Sequence, residues 1–132
     1  MRCVDTTFLI DLLRNDPGAV NKAKELDESG ALTTEVNIFE LVFGIYRVKQ
    51  LNHKKRLEEA EKLFNRLVIF PLDHKAAVKA GEILGRLCSE GREIDIPDGM
   101  TAAISLANGC NVVVTRNAEH FGRIPQVKVE SY

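Results

Sequence analysis

Short apolar runs alternate with longer amphipathic segments along the chain. Five runs read as strands: Arg2 to Val4, Ala31 to Thr33, Val68 to Leu72, Asn111 to Thr115 and Val127 to Val129. Val112-Val113-Val114 is an unbroken β-branched stretch, as in a strand covered on both faces. Helical periodicity predicts helices over Thr6 to Arg14, Ala19 to Ser29, Thr34 to Lys49, Lys54 to Leu67, Asp73 to Glu90 and Asp98 to Asn108. Their ends carry start and stop chemistry: Asp73 as an N-cap, the turn Asn15-Asp16-Pro17-Gly18, and Gly30, Gly91 and Gly109 just past three C-termini. Strands separated by helices predict a three-layer α/β/α domain with a short, mainly parallel central sheet. Such folds collect their chemistry beyond the carboxyl ends of the strands. Asp5 and Thr115-Arg116-Asn117 occupy two such ends, and Asp98 and the start of the third helix can reach the same edge.

Three acids interrupt the apolar pattern. Asp5 closes Met1-Arg2-Cys3-Val4, Glu40 stands inside Ile38-Phe39-Glu40-Leu41-Val42-Phe43, and Asp98 opens Gly99-Met100-Thr101-Ala102. An unpaired charge costs several kcal/mol or more to desolvate, so acids in such surroundings need solvent or a cation. If the fold brings them together, a hard divalent metal is the natural partner and a metal-dependent hydrolase the natural activity. Each also has a plainer explanation. Asp5 and Asp98 can be N-caps; for Asp5 a cap leaves the second carboxylate oxygen free. Glu40 lies with Asn37, Gly44 and Arg47 on a narrow polar stripe. That stripe is either solvated or lines a cleft, and the cleft is favoured because so apolar a helix has little surface left for water. Asp95, in the extended approach Ile94-Asp95-Ile96-Pro97, is expected to turn outward and ranks behind Asp98. Asn117 reads as turn or cap chemistry, or as a neutral oxygen ligand or donor to water. His53, His74 and His120 lack metal-ligand spacing and are expected at the surface or in caps.

Composition bounds this reading without deciding it. The 132 residues make one domain, 45% apolar and 28% charged, in the range of an ordinary globule. A net charge of −1, from 18 basic and 19 acidic residues, gives no basic excess that would argue for nucleic acid by itself. Cys3, Cys88 and Cys110 form no CxxC pair and are expected to be reduced and mostly buried. No apolar stretch approaches the ~20 residues of a membrane span, and a charge arrives too early for a secretory signal, so a cytoplasmic protein is expected. No Ser-His-Asp order, phosphate-cradling glycine loop or Walker pattern is present.

Four segments in order then carry a resemblance. They are Val4-Asp5-Thr6-Thr7-Phe8-Leu9-Ile10-Asp11-Leu12-Leu13, Asn37-Ile38-Phe39-Glu40-Leu41, Asp98-Gly99-Met100-Thr101-Ala102-Ala103 and Val114-Thr115-Arg116-Asn117-Ala118-Glu119-His120-Phe121, the last followed by Ile124-Pro125 and Val127-Lys128-Val129. The chain resembles the PIN-domain family, and within it the VapC-type toxin ribonucleases of toxin–antitoxin pairs. The resemblance implies Asp5, Glu40 and Asp98 as a cluster holding Mg²⁺ or Mn²⁺, with Thr115 and Thr6 in support. It places Asn117 where many relatives carry a fourth acid, which puts a second tightly held ion in doubt.

The activity so implied is hydrolysis of an RNA phosphodiester, leaving a 5′-phosphate and a 3′-hydroxyl. Asp5 and Asp98 ligate the metal, Glu40 completes the site or holds a water, Asn117 orients water or phosphate, and Arg116 meets a neighbouring phosphate or stays a plain surface residue. The resemblance also implies a cognate antitoxin whose extended tail blocks the acids, and a homodimer. Leu41, Tyr46, Leu51 and Leu63 are candidates for those contacts, or else core. The rivals are a housekeeping RNA-processing nuclease, a non-catalytic RNA-binding module of the same fold, and a flavodoxin-like phosphotransfer domain. The last lacks the acidic pair after the first strand, since Thr6 and Thr7 follow Asp5.

Overall fold

The computed structural model describes residues 1–132. The elements, in order, are β1 (Arg2–Val4), α1 (Thr6–Leu13), α2 (Pro17–Ser29), β2 (Ala31–Thr34), α3 (Glu35–Arg47), α4 (His53–Phe64), β3 (Val68–Phe70), α5 (His74–Ser89), α6 (Ile96–Ala107), β4 (Val112–Val114), α7 (Ala118–Gly122) and β5 (Lys128–Glu130). The strands form one sheet in the order β3-β2-β1-β4-β5, and every pair is parallel. Strand order therefore reverses between β1 and β4, which opens a crevice at their carboxyl ends.

Successive strand residues point to opposite faces, and this divides the core in two. Cys3 and Val113 face one side, where α5, α6 and α7 supply Ala80, Ile83, Leu87, Ala102, Ala103 and Phe121. Val4 and Val114 face the other, where α1 to α4 supply Phe8, Leu9, Leu26, Leu41, Ile45, Ala60 and Leu63. Leu41 and Leu63 are thus core, whereas Tyr46 is exposed; two aromatics that helical periodicity did not single out, Phe39 and Phe43, are exposed beside it.

The caps follow from the sequence. The side chains of Asp5, Asp16, Thr34, Asn52 and Asp73 each accept a hydrogen bond from a backbone N–H in the first turn of α1 to α5. At α6 the expectation shifts. Pro97 lies in the first turn, where its missing N–H leaves no bond unmade, so the helix begins at Ile96 and Asp95 takes the cap position. Asp98 is therefore inside the first turn and is not the cap. Asp95 is exposed, as its extended approach suggested. Where α6 leans on α5, a Cβ built on Gly99 would stand 2.4 Å from Leu84 Cδ2. The glycine is what permits this approach beside Asp98. Of the three free cysteines, Cys3 and Cys110 are buried and Cys88 is exposed. No helix is long and apolar enough to cross a membrane.

Candidate active site

Asp5 follows β1 directly and is only 2% exposed. Its Oδ1 accepts from the Phe8 N–H at 3.1 Å, which is the α1 cap, and from the Thr7 hydroxyl at 2.7 Å. Its Oδ2 accepts from the Thr115 hydroxyl at 2.5 Å, at the end of the adjacent β4. Parallel pairing of β1 with β4 puts these two strand ends side by side. Burial pushes the Asp5 carboxyl above the usual carboxylate range; the bonds from Thr115, Thr7 and Phe8 pull the other way, and the Asp98 charge adds to the rise.

Glu40 projects from α3 toward the same edge. Its Oε1 accepts from the Thr6 hydroxyl at 2.7 Å, and Thr6 Oγ1 in turn accepts from Asn37 Nδ2 at 3.0 Å. Asn37 is itself buried, with Oδ1 accepting from the Thr34 hydroxyl at 2.8 Å. One end of the polar stripe on α3 is therefore enclosed. The Glu40 carboxyl is raised by burial first, then by Asp98, Asp5 and Asp95, against the bond from Thr6. The charges of Asp98, Asp5 and Asp95 thus all bear on Glu40.

Asp98 reaches in from α6. Its Oδ2 accepts from Asn117 Nδ2 at 2.7 Å and lies 2.8 Å from His120 Nδ1. Burial raises this carboxyl too, with His120 and Asn117 opposing the rise. The Asn117 N–H donates to Thr115 Oγ1 at 2.8 Å. A continuous run of bonds therefore joins Thr7, Asp5, Thr115, Asn117, Asp98 and His120. Adjacent Thr6 ties in Glu40.

His120 is not the surface or capping residue that its spacing suggested. It sits on α7, turned into the acidic edge, and Asp95, Asp98 and His120 have potential ligand atoms all within 4.8 Å of one another. Spacing rules missed it because its partner is 22 residues away on another element. Arg116 is held elsewhere: its Nε and Nη2 grip Asp11 at 2.7 and 2.9 Å, and Tyr132 Oη donates to Asp11 at 2.6 Å. Its own N–H donates to Thr7 Oγ1 at 3.0 Å. The Tyr132 hydroxyl is pushed up to about 12 by burial and by its bond to Asp11. Asp11, Thr7 and Tyr132 were not singled out as site residues; only Asp11's place one helical turn from Thr7 on α1 hinted at its role.

A divalent cation fits these side chains. The donors are hard carboxylate oxygens, and Asp5, Glu40 and Asp98 all have their charged forms disfavoured in a way that a cation relieves. Asp95, Asp98 and His120 are the group whose ligand atoms lie within reach of one ion, with Asn117 beside Asp98 and with Asp5 and Glu40 along the same edge.

Doubly wound α/β topology puts these acids in the crevice at the strand switch, where such folds bind their ligands, and comparison with known proteins makes the class specific. The PIN domain pattern matches residues 2–127, and the chain belongs to that family. It is 29% identical over 129 residues to the tRNA(fMet)-specific endonuclease VapC of Salmonella typhimurium, covering 98% of this chain and 96% of the relative. It is 28% identical over 130 residues to ribonuclease VapC19 of Mycobacterium tuberculosis, with 97% and 98% covered. Among solved structures, the DNA-bound VapBC of Salmonella typhimurium superposes with a TM-score of 0.86 at 28% identity, covering 98% of this chain and 96% of that one. VapBC2 of Rickettsia felis, bound to a promoter DNA fragment, reaches 0.88 at 20% identity with 99% and 98% covered, a likeness of fold.

Proposed function

We propose that this protein is a Mg²⁺- or Mn²⁺-dependent endoribonuclease and the toxin of a toxin–antitoxin pair, acting in the cytoplasm. The observation that carries the reading is the hydrogen-bonded set of acids at the β1/β4 switch, on a fold whose relatives bear ribonuclease names. Asp5, Asp98 and Glu40 would hold the cation, which would supply polarisation of a phosphoryl oxygen and of the water that serves as nucleophile. Thr115 and Thr7 fix the Asp5 carboxylate so that both its oxygens keep one orientation. Thr6 does the same for Glu40, and Asn117 for Asp98. Asn117, bonded to Asp98, would orient the water or the scissile phosphate. Water would add to phosphorus and give up a proton to solvent, the bond to the 3′-oxygen would break, that oxygen would take up a proton from solvent, and the 2′-hydroxyl would take no part.

Two partners are proposed with it: an antitoxin and a second copy of the chain. Phe39 and Phe43 stack at 6.0 Å between ring centroids and are 66% and 57% exposed. With Ile38, Val42 and Tyr46 they line an open recess on α3, the same helix that carries Glu40. An apolar face of that kind gains by being covered.

Cleavage of RNA by the purified protein tests the reading, with tRNA(fMet) included because the Salmonella typhimurium relative is named for it. Activity should require Mn²⁺ or Mg²⁺ and leave 5′-phosphate ends. Asp5→Asn should lower it at least about 100-fold, since the charge that holds the ion is gone while the cap bond from Phe8 survives. A rigorously purified Asp5→Asn protein that cleaves as well as the wild type would remove the reading.

A further inference from the structure

We propose that the cation centre of this chain is a mixed oxygen–nitrogen site, in which His120 Nδ1 is a ligand beside Asp98 and favours Mn²⁺ over Mg²⁺. The inference rests on the reading above that the acidic edge holds a divalent ion.

The argument starts from a triangle. Asp98 Oδ2, the Asn117 side-chain amide and His120 Nδ1 are separated by 2.7, 2.9 and 2.8 Å. While Asp98 is ionised, hydrogen bonds cannot fill all three edges. If Nδ1 carries a proton, it donates to Asp98, and the Asn117 amide then sets one donor against another. If Nδ1 is bare, it accepts from Asn117, and its lone pair then faces the lone pairs of Asp98 Oδ2. One edge is frustrated in either state.

A cation removes the conflict. Asp98 and the bare imidazole turn their lone pairs on the ion, and a half-turn of the Asn117 amide puts its oxygen where its nitrogen now stands. Adjacent ligands in an octahedral shell with bonds of 2.0–2.1 Å lie about 3 Å apart, close to the edges of this triangle. Asp95 adds a fourth donor, its Oδ2 3.7 Å from Nδ1, on an exposed side chain free to move. The other histidines lie elsewhere: His53 Nε2 meets the Val48 carbonyl and His74 opens α5. Mg²⁺ holds to oxygen and water, whereas Mn²⁺, the weakest binder of the first-row transition series and also at home with oxygen, still gains more than Mg²⁺ from an imidazole nitrogen. One nitrogen in the shell therefore shifts preference toward Mn²⁺.

The test uses the full chain and the metals alone. Electron spin-echo modulation of bound Mn²⁺ is compared between natural-abundance protein and protein with ¹⁵N-labelled histidine. A directly bound imidazole nitrogen whose frequencies change with the isotope is expected. The ratio of the Mg²⁺ Kd to the Mn²⁺ Kd should then fall by about tenfold or more in His120→Asp, which restores an oxygen donor. Mn²⁺ bound without a histidine signal, or a ratio unchanged in His120→Asp, overturns the proposal. If that binding is still lost in Asp98→Asn, the cation reading itself stands. A wild-type protein that binds neither ion overturns both. The isotope comparison needs no variant, so it decides even if His120→Asp does not fold.

Discussion

The hydroxyl of Thr115 donates to Asp5 Oδ2 at 2.5 Å, joining the ends of two neighbouring strands across 110 residues of chain. The same oxygen accepts the N–H of Asn117, so a single side chain orients an acid and shapes the loop that meets Asp98. Thr115→Val keeps the volume and removes both bonds. Cation affinity or cleavage should fall 10–100-fold, the usual cost of losing a group that holds a ligand in place. Calorimetric titration with Mn²⁺ and a cleavage time course check it, and a variant indistinguishable from wild type in both would show that Asp5 needs no such support.

Burial of the acids, with repulsion from neighbouring carboxylates adding to it, should be visible as pH-dependent stability. Asp5, Glu40 and Asp98 have folded-state values above their unfolded ones. The folded state therefore keeps protons that the unfolded chain has released. The resulting stabilisation is complete below about pH 4 and is lost as pH rises through the raised values. Glu130 works in the opposite sense: bonds from Lys22 and Arg2 hold it low, so its contribution exists above its unfolded value and is lost on acidification. Metal-free protein should melt at a lower temperature at about pH 7.5 than at about pH 5, and saturating Mn²⁺ should shrink the difference. Melting curves with and without chelator measure this. A metal-free protein that gains stability across that interval would contradict the raised carboxyls.

Gly99 sets how closely α6 approaches α5. A Cβ there would lie 2.4 Å from Leu84 Cδ2 and 2.5 Å from its Cγ. Gly99→Ala should cost about 1–3 kcal/mol through overpacking, read as a lower denaturation midpoint. Adding Leu84→Ala should recover part of the loss, because the two changes share one contact. Strict additivity of the two would show that the crowding is absorbed elsewhere.

Phe39 and Phe43 hold up nothing inside the protein. The double change to serine should leave the melting temperature within about 1–2 °C, since exposed positions contribute within about 0.5 kcal/mol each. Association with the proposed antitoxin, measured by titration, should weaken at least tenfold if this face is covered in the complex, the loss of about 1.4 kcal/mol. Unchanged affinity would place the contact on another face.

Much of the architecture was legible in local order. Strand alternation, the β-branched run of β4 and the capping aspartates come from periodicities of two and of three to four residues, which neighbours in sequence enforce by themselves. Pro97 moved the start of α6 back to Ile96, a small correction with a consequence: Asp98 became a side chain inside the first turn, aimed at Asn117 and His120. The stripe of Asn37 and Glu40 was legible as polar residues on an apolar helix. Which side of α3 would be covered was not: Leu41 became core and Phe39 surface, because that choice belongs to the elements packed around the helix.

From the chain alone came the strands, the helices, their parallel order and the acid that follows β1, because each depends on residues a few positions apart. Folding alone decided that Arg116 would be held by Asp11 and that His120 would face Asp98. Those pairs lie 105 and 22 residues apart. They meet only because parallel pairing of β1 with β4 and the packing of α6 against α7 bring distant backbone to one edge, and no local periodicity encodes that meeting.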